Sequence, residues 1–306
     1  MPADGMLDLQ VNGYAGVDFN ADHVAPDDLH AACLALREDG VAEVLLTIIT
    51  DELGLMCRRL RALAALREAD PLVESVVAGF HVEGPFINPA PGYVGAHPAQ
   101  HTMPASTDAA ARLLEAGGGL VRLVTLAPEC DPGLETTARL VAEGVTASAG
   151  HCDPSRDQLE AAIDHGLSAF THLGNGCPAS LPRHDNIIQR VLSLADQLMI
   201  GFIPDGAHVP YFALRNYLRC AGTERCFFVS DAISAARLGP GRYTLAGWTL
   251  DIGEDLVARM PGGDNLVGST VTCPRMKSEA APALGLGAEE FRSLTVANPR
   301  RVLGGR

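Results

Sequence analysis

The sequence predicts an α/β fold, a (β/α)8 barrel, and three observations carry that expectation. Apolar, β-rich runs alternate with helical segments along the chain until eight such units have been counted. The runs are nearly continuous in apolar residues, as in VAEVLLTII at 41–49, the pattern of parallel strands buried on both faces. Carboxylates and imidazoles fall repeatedly where such runs stop, and in a barrel those C-terminal strand ends meet at one face.

The first run, 6–11, is followed by Asn12-Gly13 and a helix over 26–39. The second, 41–49, leads into a helix from Asp51, read as its N-cap, to about residue 69. The third, 76–82, ends in Glu83-Gly84-Pro85; a long loop over 86–106 then precedes a helix over 107–116. A fourth strand over 120–126 and a helix over 132–143 follow. Strands five and six end at Gly150-His151 and Thr171-His172, one βα repeat apart. The seventh, 198–203, runs into Pro204-Asp205-Gly206-Ala207-His208, and the eighth, 226–229, into Ser230-Asp231-Ala232. Gly/Pro-rich residues 239–268 form an excursion with a short hairpin around 243–252, and helical segments over 274–284 and 288–296 finish the chain. The expectation is one domain over 1–306.

Composition narrows the function classes. A net charge of −14 argues against nucleic acid or an anionic membrane surface as the main partner. The N-terminus, MPADGMLDLQ, lacks the basic region of a secretory leader, and no run approaches the roughly 18 apolar residues of a membrane span. Eight cysteines without a C-x-x-C pair read as free thiols, so a cytoplasmic protein is expected. Of 23 basic residues only Lys277 is a lysine, and it falls in an outer helical segment. Schiff-base, P-loop and metal-bridging carbamylated lysines are therefore discounted.

Glu83, His151 and His172 offer one carboxylate and two imidazoles at neighbouring strand ends. That set suits Zn²⁺ with an open position, and Fe²⁺, Mn²⁺ or Co²⁺ would also fit. Such an ion brings the pKa of bound water towards about 7 and polarises a carbonyl. Asp231, after the last strand, is placed to take a proton from that water and deliver it to a leaving nitrogen. His97 and His208 are candidates for binding the substrate or polarising its carbonyl. His81 shares the direction of Glu83 by strand alternation and reads as a supporting or packing residue. Cys152 and Cys177 read as spacers.

The motifs Leu9-Gln10-Val11-Asn12-Gly13, His81-Val82-Glu83-Gly84-Pro85-Phe86, Gly95-Ala96-His97-Pro98, Ala149-Gly150-His151, Thr171-His172-Leu173-Gly174-Asn175, Asp205-Gly206-Ala207-His208 and Val229-Ser230-Asp231-Ala232 resemble, in order, those of the N-acetylglucosamine-6-phosphate deacetylases of the amidohydrolase superfamily. Leu266-Val267-Gly268-Ser269 and Ala297-Asn298-Pro299 resemble the family's later signatures. The resemblance implies a TIM barrel of the metal-dependent amidohydrolase type that hydrolyses the N-acetyl amide of an amino-sugar phosphate. It implies Glu83, His151 and His172 as metal ligands and Asp231 as acid/base. It places His97 near the acyl and sugar groups, and Asn175, His208 and the Gly176 backbone on the sugar phosphate.

Gln10 and Asn12 stand where many amidohydrolases carry a His-x-His pair, and amides are poor zinc ligands, so one metal ion is expected. Three departures from the family pattern stand out. The chain lacks the usual small β-sandwich, which suggests a homo-oligomer, a dimer, covering that flank. Gly176-Cys177 replaces Ala-Met. Pro182-Arg183-His184-Asp185-Asn186 replaces a loop whose arginine holds phosphate, with Arg183 at about the same spacing. Two other readings remain open: the same chemistry on an unphosphorylated N-acyl amino sugar, N-acyl amino acid or cyclic amide, and a non-catalytic sugar-phosphate binding protein.

Overall fold

The computed structural model describes residues 5–259 and 266–304. Eight parallel strands pair in chain order: β1 (Met6–Val11), β2 (Val41–Ile49), β3 (Val77–Glu83), β4 (Val121–Leu126), β5 (Thr146–Ala149), β6 (Ala169–Phe170), β7 (Met199–Phe202) and β8 (Cys226–Phe228). The barrel closes without a regular ladder between β8 and β1. Asn12 N–H and Gly13 N–H both donate to the Ala232 carbonyl, at 2.7 and 3.1 Å, and Val11 bridges Ala232 in parallel. The Ser230 N–H donates to the Asp8 carboxylate at 3.1 and 3.2 Å.

Helices α1 (Pro26–Glu38), α2 (Leu53–Ala69), α3 (Pro71–Val76), α4 (Thr107–Ala116), α5 (Glu135–Ala142), α6 (Arg156–Asp164), α7 (Ile187–Leu192) and α8 (Tyr211–Ala221) pack outside the strands. In α1, Leu29, Ala32, Cys33 and Leu36 are buried at helical spacing, so one face covers the sheet. Pro26 in its first turn, Asp27 and Asp28 behind it and Arg37 in the last turn suit the helix ends. Helix α6 begins in a capping box between Ser155 and Gln158, worth about 1 kcal/mol.

Several sequence expectations need correction. Asp51 does not cap α2: the Glu52 carboxylate accepts from Gly54 N and Leu55 N, while Asp51 pairs with Arg59 at 2.8 Å. The third strand starts at Val77, because Asp70 caps a short extra helix, α3, whose first residue is Pro71. The helix expected over 132–143 is a 3-10 turn followed by α5, with Gly133 and Leu134 in left-handed backbone between them. The expected hairpin is present as Gly241–Leu245 paired with Trp248–Ile252, and Ala258–Arg259 adds a third strand. Of the expected excursion over 239–268, residues 260–265 lie outside the described residues.

Inside the barrel a hydrogen-bonded chain of side chains crosses the strands. Ser148 and Thr171, Thr171 and Thr125, and Thr125 and His81 Nε2 are each 2.7 Å apart, and every member is buried. Buried hydroxyls paired in this way carry little net cost. Burial pushes the His81 imidazole down to about 4, so it is neutral and belongs to this floor beneath the strand ends.

Candidate active site

Glu83, His151, His172 and Asp231 sit where strands give out. Glu83 is the last residue of β3, pointing inward with His81, while Phe80 and Val82 face outward into the core. His151 and His172 lie two residues past β5 and β6 and Asp231 three past β8, and all three adopt left-handed backbone, with φ of 50°, 32° and 50°. Non-glycine residues pay about 1–2 kcal/mol for that conformation. Here it turns each side chain across the barrel mouth instead of along the strand, a kind of local strain that collects at functional sites.

The groups converge on Glu83, which is 3% exposed. Its Oε1 lies 2.8 Å from His172 Nε2, 3.4 Å from His151 Nε2 and 3.0 Å from Gln10 Nε2; its Oε2 lies 3.8 Å from His97 Nε2. Burial alone would raise the Glu83 carboxyl, but the His151 and His172 contacts outweigh it and hold the group well below the usual carboxylate range.

Hydrogen bonds on the far ring nitrogens set the imidazole tautomers. His151 Nδ1 lies 2.8 Å from the Tyr93 carbonyl, which can only accept, so Nδ1 carries a proton and, in the neutral ring, it is the Nε2 lone pair that faces Glu83. In that neutral form Nε2, 3.4 Å from Glu83 Oε1, can share a cation with the carboxylate. His97 is the reverse: its Nδ1 accepts from Thr50 N–H at 3.3 Å, so Nε2 carries a hydrogen and points into the site as a donor. Burial and then the neighbouring His151 hold its pKa down to about 3. At His172 burial favours the neutral ring, yet the Glu83 hydrogen bond and charge outweigh it and raise the pKa. Its buried Nδ1 has no partner among the described residues, so the Glu83 contact alone places its proton, on Nε2.

Among the described residues, Glu83, His97 and His151 are the group whose possible ligand atoms all lie within 4.8 Å of one another. With His97 fixed as a donor, the atoms chemically able to hold a cation are the Glu83 carboxylate, His151 Nε2 and, once deprotonated, His172 Nε2. One carboxylate and imidazole nitrogens suit a divalent ion. A ligating imidazole commonly donates its other N–H to a carbonyl, as His151 does.

Asp231 is buried, and its Oδ1 accepts from Asn12 Nδ2 at 2.7 Å. Burial, then the Glu83 charge, push its carboxyl up to about 6. That places a proton acceptor near neutrality, where it can both take and return a proton. His208 Nδ1 is 2.6 Å from the Asp205 carboxylate, which also accepts the Ala207 and His208 N–H groups. Together they enclose a cavity of about 420 Å³ with Glu83, His97, His151, His172, Asn175, Gly176, His208 and Asp231 in its wall.

No family model matches the chain. Among characterised proteins it is 34% identical to the N-acetylglucosamine-6-phosphate deacetylase of Danio rerio, over 99% of this chain and 75% of that protein. It is 32% identical to an N-acetylgalactosamine-6-phosphate deacetylase of Shewanella, over 96% of this chain and 72% of that one. The crystal structure of N-acetyl-D-glucosamine-6-phosphate deacetylase from Mycobacterium smegmatis superposes with a TM-score of 0.87 at 30% identity, covering 98% of this chain and 78% of that one. The chain belongs to the N-acetylglucosamine-6-phosphate deacetylase family.

Within this family frame the sequence-predicted residues divide into those brought together and one that is not. Eight of them line the cavity, whereas Arg183 is exposed and is not part of its wall. Gly176 earns its place by space: with φ at 59°, a Cβ there would stand 2.9 Å from His151 Nδ1. Gly95 closes on the other side, where a Cβ would meet His151 Cε1 at 3.0 Å. The excursion over 239–268 contributes Leu245, Leu266, Val267 and Gly268 to the same wall.

Sequence reasoning missed three supporting contacts. Gln10 and Asn12 were seen only as absent ligands, yet each donates to a site carboxylate. Their alternation with Asp8, every second residue of an otherwise apolar strand, was the available signal. Glu129 was also passed over: its Oε1 accepts from Asp153 N and Asn88 Nδ2, while Asn88 N–H donates to the His151 carbonyl. The backbone around His151 is thereby gripped on both sides. No local pattern marked that carboxylate.

Proposed function

We propose that the chain hydrolyses the N-acetyl amide of N-acetylglucosamine 6-phosphate, or of a close amino-sugar relative, giving the free amine and acetate. The observation that carries the reading is His151, its Nδ1 held on the Tyr93 carbonyl and its Nε2 turned to Glu83, in one cavity with Asp231. We assign one divalent ion, zinc ahead of iron, manganese or cobalt, to Glu83, His151 and His172. Bound there, the ion supplies Lewis-acid polarisation of the acyl carbonyl and acidifies water.

Asp231 takes one proton from the attacking water as its oxygen adds to the acyl carbon. It then gives that proton to the amide nitrogen as the C–N bond breaks, so the sugar leaves as an amine and the acyl group as acetic acid, which loses the second water proton to become acetate. The His97 Nε2–H is directed at the acyl oxygen. His208, Asn175 and the Gly176 backbone hold the sugar phosphate, with Arg183 as its cation. A homodimer of one-domain barrels spanning 1–306, acting in the cytoplasm, completes the reading.

Turnover on N-acetylglucosamine 6-phosphate, N-acetylgalactosamine 6-phosphate and unphosphorylated N-acetylglucosamine tests it. The first is expected to be preferred, and Arg183→Ala to raise KM for the phosphorylated sugars by roughly tenfold, the loss of one charge-assisted contact. One observation favours a second reading, an unphosphorylated N-acyl amino sugar: no arginine or lysine lines the cavity among the described residues. Equal kcat/KM on the free sugar, with Arg183→Ala silent, would decide for that second reading.

A further inference from the structure

Strand β1 and the residue after it present three polar side chains to the barrel interior, at every second position, and each holds a different piece of the site. Asp8 accepts the Ser230 N–H, one residue before Asp231. Gln10 Nε2 donates to Glu83 Oε1 at 3.0 Å. Asn12 Nδ2 donates to Asp231 Oδ1 at 2.7 Å. All three are 2% exposed, so none is there to meet bulk solvent. The residues that alternate with them, Leu7, Leu9 and Val11, pack into the apolar core.

The orientation of Asn12 is informative. Turned over, its amide would set oxygen against the Asp231 carboxylate, so the nitrogen must face it. That choice leaves Asn12 Oδ1 buried and without a partner among the described residues. Keeping Nδ2 on Asp231 is thus favoured over satisfying the amide's other end. The bond also engages one carboxylate oxygen, Oδ1, which leaves Oδ2 as the oxygen free to exchange a proton. Gln10 acts likewise on Glu83, filling an acceptor position on Oε1 and so limiting the directions from which that oxygen can bind a cation.

We propose that Asn12 and Gln10 are positioning residues of the reaction: Asn12 aligns Asp231 for proton transfer, and Gln10 aligns Glu83 for metal binding. The inference rests on the deacetylase reading for its kinetic arm only. Supporting residues of this kind change metal affinity or activity by about 10–100-fold when removed.

Three single variants, and Asn12→Ala repeated in an Asp231→Asn background, test it. In Asn12→Ala, kcat on N-acetylglucosamine 6-phosphate should fall by about 10–100-fold with KM and bound zinc unchanged, and Asn12→Ser, which can still donate, should recover part of the loss. In Gln10→Leu, zinc affinity measured by chelator competition should fall by a comparable factor, a measurement that needs no turnover. Substrate affinity is then measured by calorimetry in Asp231→Asn with and without Asn12→Ala. An unchanged affinity supports alignment. A weakened one overturns it and makes Asn12 a substrate contact through Oδ1. Unchanged kcat in both Asn12 variants, or unaltered zinc affinity in Gln10→Leu, also overturns the corresponding half. If the wild type turns over none of the sugars, the deacetylase reading fails, while the zinc measurement still decides the Gln10 half.

Discussion

The two halves of the barrel are built differently. Strands β1 to β4 run to 6, 9, 7 and 6 residues, whereas β5 to β8 have only 4, 2, 4 and 3. The long strands and the first four helices share one apolar cluster; most of the short strands pack with α6 to α8 in another. Four of the five strand-end groups, His151, His172, His208 and Asp231, follow short strands, and only Glu83 ends a long one. The difference teaches where the chemistry comes from. Ladders that stop early free backbone to turn left-handed and aim side chains inward, while the long half supplies rigidity and, through β1, the hydrogen bonds that hold those side chains.

That contrast can be broken or sharpened by substitution. On the short-strand side, Asp231→Asn should lower kcat by about 10²–10⁴-fold, the range for a positioned acid/base, with metal content intact by elemental analysis. Near-normal turnover would remove Asp231 from that role. On the long-strand side, Leu46→Ala in β2, at a fully buried position, should cost about 2–5 kcal/mol in urea unfolding. Turnover of its folded fraction should match the wild type; a loss of kcat beyond the loss of folded protein would show that the two halves are not separable.

Gly176→Ala probes the space around His151. The added Cβ meets Nδ1 at 2.9 Å, so both stability and zinc affinity should fall. Gly119→Ala serves as its control, since φ is 82° and nothing lies within 4 Å. It should cost only the backbone term of about 1–2 kcal/mol and leave zinc affinity alone. Equal zinc affinity in the two variants would mean that the Gly176 approach is incidental.

The smallest effect is a pH dependence on β1. Burial pushes the Asp8 carboxyl up from 3.8 to about 7. The folded chain then keeps a proton that the unfolded chain has lost, so this contribution to stability is full below about pH 4 and declines as pH rises to about 7. Asp8→Asn removes it. The variant should therefore gain on the wild type between pH 5 and 7, by at most about 1.4 kcal/mol per pH unit, read from urea midpoints. A difference that does not change with pH would mean that Asp8 is ionised in the fold.

How far the sequence could be read follows the same division. Residues 41–49 appear as β2 with the expected bounds, since a nine-residue apolar run between a helix stop and an acidic turn has few alternatives. At β6 only Ala169–Phe170 forms regular strand, so what was legible there was not the strand but its terminus, Thr171-His172. The α2 cap was misplaced by one residue because Asp51 and Glu52 are both acidic, and the choice between them depends on Arg59 engaging Asp51. Residue types and strand ends are local properties, written in pattern and spacing, and they were enough to bring Glu83, His151, His172 and Asp231 into one site. Which nitrogen of each histidine carries the proton, and whether an amide is a failed ligand or a prop, are not local. The Thr50 N–H that fixes His97 is 47 residues away, the Tyr93 carbonyl that fixes His151 is 58, and the Asn12 amide on Asp231 is 219. Hydrogen bonds act over about 3 Å of space whatever the distance along the chain, so those roles were settled only when the barrel closed.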